Sequence, residues 1–437
     1  MRFRHAGCVR KGHIGMKQTD MSSNDTLVDP IVDLAPHVGP KLAIVLVFAI
    51  LSLGPITVGL YLPALPLITE AFDTAEASAK FTVTSYVAGF CMTQLICGPL
   101  SDAFGRRLVI ISFLGMYIAS TILCTVSTSI QFLIFARFVQ GASGGFGWSL
   151  SRAVLLDLYS GVRSARIMSL VGVLIGVGAS VGPLIGAIAS EIFGWRGVFL
   201  AMAGFGCLGL LVTLTLLPET NTQRDKSAIR PLPLIRNYIE VGRNVRFIPP
   251  TVCLGLSYGV AYSIVTLLPF ILVSRLDLHP TQFGFVMMLQ TGGFISGSFV
   301  GHRLNARLSS SRVMQLGLWM QISGAGIMIG CLATIGPQVA TIIGPVAIIS
   351  AGNAIVMPNA AALALSPFSN RIGAASALMS FIQIVCGFFS SLMITVIADP
   401  FVAVTLIPLL IPLCGIVLTK LVRERGAAAG VMDASDR

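Results

Sequence analysis

The chain of 437 residues is 55% hydrophobic and only 11% charged, with a net charge of +11, and its mean hydropathy is +0.87. A soluble protein carries about 25% charged residues, so a soluble enzyme, a disordered chain and a fibrous protein are excluded and a polytopic membrane protein remains. The basic residues sit in short connectors between apolar runs and form no single patch, which excludes a nucleic-acid partner.

Residues 1–40 mix Arg2, Arg4, Arg10, Lys11 and Lys17 with Asp20, Asp25, Asp29 and Asp33. They hold no apolar run, so they predict a disordered tail without a cleavable signal, and Met1, Met16 and Met21 all offer starts. Twelve apolar runs follow, at 42–68, 79–100, 107–127, 131–152, 167–190, 197–217, 248–273, 282–302, 313–335, 338–360, 371–397 and 400–421. They are too long and too continuous for barrel strands, and only helices or closed barrels cross a bilayer. The expected fold class is therefore all-α integral membrane, with twelve transmembrane helices in two six-helix bundles. The bundles are expected over 41–217 and 248–421, with a basic linker at 218–247 and a C-terminal tail at 422–437. Two halves around a long linker is the organisation of a two-bundle transporter. Within the linker, 234–246 predicts a short amphipathic surface helix.

Orientation follows from Lys and Arg. One set of connectors holds Arg106, Arg107, Arg163, Arg166, Arg224, Arg236, Arg243, Arg303 and Arg371, and both tails join that side through Lys41, Lys420, Arg423 and Arg425. The opposite connectors hold only Lys80, Arg196 and Arg275. Both termini are thus expected in the cytoplasm, which requires an even number of spans.

None of the 18 carboxylates falls near the middle of a span, but one cation does, Arg137 in the fourth. Such a charge costs at least ~2.5–3.5 kcal/mol on insertion scales. Two roles suit it: a cavity residue that binds substrate or couples protons, or a structural group that snorkels or bonds helix carbonyls. Gly141, Gly144 and Trp148 continue the same stripe, giving either close packing or space for a ligand. Gln94, Gln140, Gln290, Asn353, Asn359 and Gln383 are further polar residues within spans, each suited to substrate contact or to an interhelical hydrogen bond. The nine cysteines show no zinc-ligand or CxxC spacing, so neither metal nor disulfide is expected. The sequence has no HExxH, G-x-S-x-G or Walker loop. No enzyme and no cofactor are expected.

The motifs identify a family. Gly98-Pro-Leu-Ser-Asp102-Ala-Phe-Gly105-Arg106-Arg107 follows the second span and resembles the G-x-L-[AS]-D-x-x-G-R-R signature of the major facilitator superfamily. Physically, Gly98 suits a close helix approach and Gly105 a tight turn, while Asp102 can cap a helix or pair with Arg106 and Arg107 to latch one end. In the fifth span Gly178-x3-Gly182-Pro183-x2-Gly186 resembles the antiporter motif of drug–proton exchangers. Tyr61-Leu-Pro-Ala-Leu-Pro66, Arg137-Phe-Val-Gln140-Gly141, Asp157-Leu-Tyr159, Leu217-Pro-Glu219-Thr220 and the run from Pro358-Asn359 to Pro367 together resemble the Bcr/CflA subfamily of bacterial multidrug efflux transporters.

That resemblance, over about 42–420, implies export of a small antimicrobial, phenicol or bicyclomycin-like, by proton antiport in a bacterial inner membrane. It implies drug and protons as partners and a monomer. It places Arg137, Tyr61, Gln140, Gly141 and Asn359 at the substrate cavity. It assigns Gly98, Asp102, Gly105, Arg106 and Arg107 to the cytoplasmic gate. One departure matters. Relatives usually read A-x-D-M-Y-L-P in the first span, whereas this chain has Gly59 in place of the Asp. No proton carrier can be assigned there, a cationic drug would lack a counter-ion, and neutral or anionic substrates are expected. An uncoupled facilitator or importer of a small metabolite on the same fold is the alternative.

Overall fold

The computed structural model describes residues 40–158, 161–221, 224, 231–368, 372–397 and 399–428. The expected N-terminal tail, part of the linker, Tyr159 and the last nine residues lie outside the described residues.

The chain folds into helices throughout its described span, as lipid demands of a backbone that must satisfy its own hydrogen bonds. The first half comprises α1 (Pro40–Leu51), α2 (Leu53–Tyr61), a 3₁₀ turn (Leu62–Ala64), α3 (Leu65–Ala71), α4 (Glu76–Phe104), α5 (Arg106–Thr125), α6 (Ile130–Gly144), α7 (Phe146–Leu158) and α8 (Gly161–Leu216). After α9 (Pro231–Gly242), the second half comprises α10 (Ile248–Pro269), a π-helical turn (Phe270–Arg275), α11 (Pro280–Asn305), α12 (Ser310–Thr334), α13 (Val339–Leu365), α14 (Ile372–Val396) and α15 (Pro400–Ala428). The amphipathic linker helix thus forms three residues earlier than its predicted start, and α15 runs on into the predicted tail.

Ten helices are long and apolar enough to cross a membrane among the described residues. Two breaks in the helices bear on how the twelve runs of the sequence are arranged. The fourth run divides into α6 and α7 at Gly145, where the backbone stays close to helical at φ −65° and ψ −22°; a Cβ at Gly145 would lie 2.9 Å from the Phe90 carbonyl oxygen, so only glycine lets α4 pass so close. The fifth and sixth runs follow one another within α8 as two helices that meet at Gly194, whose φ of 65° breaks the helical path.

The halves pack together at one end. A large apolar cluster joins Tyr61, Ala79, Tyr86, Trp195 and Phe199 of the first half to Val260, Phe270, Phe283 and Ile394 of the second. Two smaller clusters near the Gly105 end remain separate. One holds Leu46, Val109, Phe146 and Leu217 of the first half; the other holds Phe247, Met314, Ala364 and Ile416 of the second, with Val241 of α9. Polar contacts between halves follow the same bias. At the end carrying Lys80, the Thr84 and Ser391 hydroxyls meet at 2.6 Å, Arg275 reaches Glu76 at 3.4 Å, and the Thr281 N–H donates to Glu191 at 3.1 Å.

Candidate functional site

A cavity of about 460 Å³ lies between the halves, within the range of small-molecule sites. Its first-half wall includes Pro55, Val58 and Gly59 of α2, Tyr86 and Phe90 of α4, Trp148 of α7 and Pro183 of α8. Its second-half wall includes Tyr258 and Tyr262 of α10, Gln290 and Thr291 of α11, and Ser350 and Asn353 of α13. Among the described residues, no charged side chain lines it. The chemistry this permits is stacking, apolar burial and neutral hydrogen bonding.

Arg137 lies behind that wall. It is completely buried, and its guanidinium carbon sits 4.1 Å from the Tyr61 ring centre and 4.4 Å from that of Tyr86. Nη1 donates to Gln140 Oε1 at 2.5 Å, and Gln140 Nε2 in turn donates to Thr121 Oγ1 at 2.7 Å. Tyr61 is fixed by its hydroxyl, 2.6 Å from Thr82 Oγ1. Two aromatic faces and one amide therefore hold a charge that has no carboxylate within ion-pair distance among the described residues. Nε and Nη2 find no hydrogen-bond partner there. Cation–π contacts gain strength when desolvated, to about 2 kcal/mol.

The structure thus brings Arg137, Tyr61 and Gln140 together with Gly141, but none of the four lines the cavity. Gly141 is a packing residue, since a Cβ there would fall 1.9 Å from the Tyr86 carbonyl oxygen. Tyr86 is the side chain with one face to Arg137 and a place in the wall. Asn359 is likewise outside the wall, its Nδ2 donating to the Ile355 carbonyl one turn back at 2.8 Å. Gln94 spends its amide on packing, donating to the Gly145 carbonyl at 2.9 Å and accepting from Ser149 at 2.7 Å.

The Gly98–Arg107 motif forms a closed network. Gly105 takes φ 103°, and a Cβ there would meet Glu219 Oε2 at 2.4 Å, so the tight turn needs glycine. Arg106 pairs with Asp102 and with Asp157 at 3.1 Å, while its backbone N–H donates to Glu219 at 2.9 Å. Asn221 Nδ2 donates to the Asp102 carbonyl at 3.0 Å. Two expectations are corrected. Nothing lies within 4 Å of a Cβ at Gly98, so this glycine mediates no close approach. Arg107 does not pair with Asp102; it donates to the Leu214 carbonyl at 2.9 Å. Every partner named belongs to the first half or to the start of the linker, so the network ties α4, α5, α7 and the segment that follows α8 to one another.

The antiporter-type motif packs on α2. A Cβ built on Gly59 would lie 3.3 Å from Pro183 Cδ and 3.4 Å from Gly182 Cα. A Cβ at Gly186 would fall 2.2 Å from the Leu60 carbonyl oxygen. Pro183 lines the cavity beside Gly59. Gly178 lies on α8, and its surroundings are outside the described residues.

Sequence reasoning missed Gln321, which is fully buried on α12 and donates to Asn353 Oδ1 at 3.0 Å; its only signal was an amide in the middle of the ninth run. It also missed the aromatic pair Tyr258 and Tyr262, which nothing separates from ordinary span residues.

A polytopic helical protein whose two halves enclose an uncharged cavity is a membrane transporter in class. The sequence matches the Major Facilitator Superfamily over residues 47–391, and the chain belongs to that family. It is 26% identical over 350 residues to the bicyclomycin resistance protein homolog of Haemophilus influenzae, covering 78% of this chain and 86% of that protein. It is 27% identical over 340 residues to the multidrug resistance protein MdtL of Escherichia coli, covering 78% and 84%. The fold is similar to the crystal structure of a D-xylose–proton symporter, with TM-score 0.70 at 13% identity over 86% of this chain and 97% of that one. It is also similar to the human organic anion transporter MFSD10, with TM-score 0.65 at 17% identity over 88% and 99%.

Proposed function

We propose that this chain is a secondary transporter that exports small, uncharged antimicrobial compounds of phenicol or bicyclomycin type across a bacterial inner membrane, with both termini cytoplasmic. The observation that carries this reading is the uncharged cavity between halves that meet at one end only. In the proposed orientation the closed end, with Lys80, faces outward and the Gly105 end faces the cytoplasm. That is the inward-facing arm of an alternating-access cycle, in which substrate biases the equilibrium by binding the two states differently. The names of the relatives support drugs as cargo. The neutral wall supports uncharged over cationic drugs, since it offers no counter-ion. Protons are the proposed driving ions, Arg137 the proposed coupling group, and a monomer the proposed working unit.

A second reading is favoured by one observation: Gly59, at the position where the resemblance implies an acid, lines the cavity. It makes the protein an uncoupled facilitator. Everted vesicles with an inside-acid gradient separate the two. Phenicols, bicyclomycin-like compounds and ethidium are added in turn and proton release is followed, with Arg137→Ala as control. Dissipation of the gradient by a neutral drug, abolished in the variant, is the expected result. Labelled drug moving down its own gradient without proton release would replace antiport by facilitation, and ethidium as the best substrate would overturn the neutral-cargo reading.

A further inference from the structure

Polarity is divided unevenly around the cavity. The amide and aliphatic hydroxyl side chains of its wall, Gln290, Thr291, Ser350 and Asn353, all come from the second half. The first-half wall is aliphatic and aromatic apart from the Tyr86 hydroxyl and the Trp148 indole nitrogen. The amides and aliphatic hydroxyls open to a ligand in this space therefore stand on the second half alone.

Asn353 is the member of the polar set whose orientation is fixed from behind. It is 2% exposed. Its Oδ1 accepts from Gln321 Nε2 at 3.0 Å, and the same nitrogen donates to Ser257 Oγ at 3.1 Å. Gly352 brings the two helices together: a Cβ there would lie 2.8 Å from Gln321 Cγ, so α12 passes close enough for its amide to reach Asn353. With Oδ1 engaged, the amide presents Nδ2 as its free face. Among the described residues, no hydrogen bond engages that nitrogen, and an amide NH₂ has two hydrogens to give.

We propose that Asn353 is the hydrogen-bond donor that selects uncharged substrates bearing a carbonyl or hydroxyl oxygen, and that Gln321 is its positioning residue. The inference rests on the drug-exporter reading and adds the chemical group recognised. A site built to donate to an oxygen rejects analogues that lack it, because its own polar group is then left unpaired. Asn353→Leu removes both donor and acceptor and keeps the number of side-chain heavy atoms. Asn353→Asp keeps an acceptor for Gln321, removes the donor and places a negative charge in the wall.

Equilibrium binding of radiolabelled chloramphenicol to the purified full-length protein, with ethidium in parallel, tests this. Asn353→Leu is expected to weaken chloramphenicol binding at least about tenfold and to lower the thermal midpoint, since Gln321 Nε2 loses an acceptor. Asn353→Asp is expected to lose chloramphenicol and gain ethidium, a reversal that a merely structural defect does not produce. If Asn353→Leu fails to fold, Gln321→Met keeps the test, since it leaves Asn353 in place but frees its amide; about three- to tenfold weaker binding is expected. Chloramphenicol binding within twofold of the wild type in whichever variant folds overturns the assignment. A wild type that binds no chloramphenicol removes the phenicol reading and this inference together, whereas wild-type binding with unaffected variants removes the inference alone.

Discussion

Arg137 departs from the usual rule that a buried charge is paired. Its environment is two ring faces and one amide, with two nitrogens unsatisfied among the described residues. Such a charge lowers stability, because desolvation is offset only in part. Arg137→Met is therefore expected to raise the thermal midpoint while abolishing drug-driven proton release; a lower midpoint would show that the aromatic cradle more than repays the burial. Arg137→Lys is expected to fail to restore transport, because an ammonium cannot stack flat on two rings while reaching Gln140. That this residue is exceptional was legible in the sequence, since no other charge lies so deep in a run. That it stands behind Tyr86 was not. Which helix face meets the cavity is set by how α4 and α6 pack, and that depends on glycines far in sequence from the residues they meet, such as Gly141 against the Tyr86 carbonyl.

Helix approach explains more of the motif chemistry than charge does. Gly186 and Gly98 both stand in family-like patterns, but their surroundings are opposite. Gly186 faces a carbonyl at 2.2 Å, while Gly98 faces open space within 4 Å. Gly186→Ala should force α2 and α8 apart and cost on the order of 2–4 kcal/mol. Gly98→Ala should be neutral or gain up to about 1 kcal/mol from helix propensity. Thermal denaturation in detergent distinguishes them, and equal midpoints for the two variants would refute the packing argument. The small-residue stripe of the fifth run was legible as a motif, but the helix it packs against was not, because a stripe carries no address. The linker helix α9 was legible from its amphipathic pattern. Its docking was not: Val241 is buried among residues of the second half, and burial, with Cys97 and Asp102 nearby, raises the Tyr238 phenol above its ordinary value of 10.0.

For the whole molecule, the question is what holds the Lys80 end shut. The Lys80 side chain is 3% exposed, pairs with Glu76 at 3.2 Å, and sits 4.9 Å from the Phe270 ring of the other half. Glu76 reaches across to Arg275, and Glu191 accepts from the Thr281 N–H and faces His279 at 3.1 Å. Two carboxylates of the first half thus meet donors of the second. Each such exposed pair contributes only about 0–1 kcal/mol, but a two-state equilibrium shifts about fivefold for 1 kcal/mol, so a few pairs suffice to set its resting position. Glu76→Arg should open this end. It is expected to raise labelling of Thr291→Cys, in a background with the native cysteines replaced by serine, by a membrane-impermeant maleimide applied from that side. Adding Arg275→Glu should return labelling part of the way, since the new guanidinium at position 76 still faces Lys80. Labelling that stays at the starting level in the single variant would mean that the apolar cluster around Phe270 and Trp195, with no help from charge, keeps the end closed.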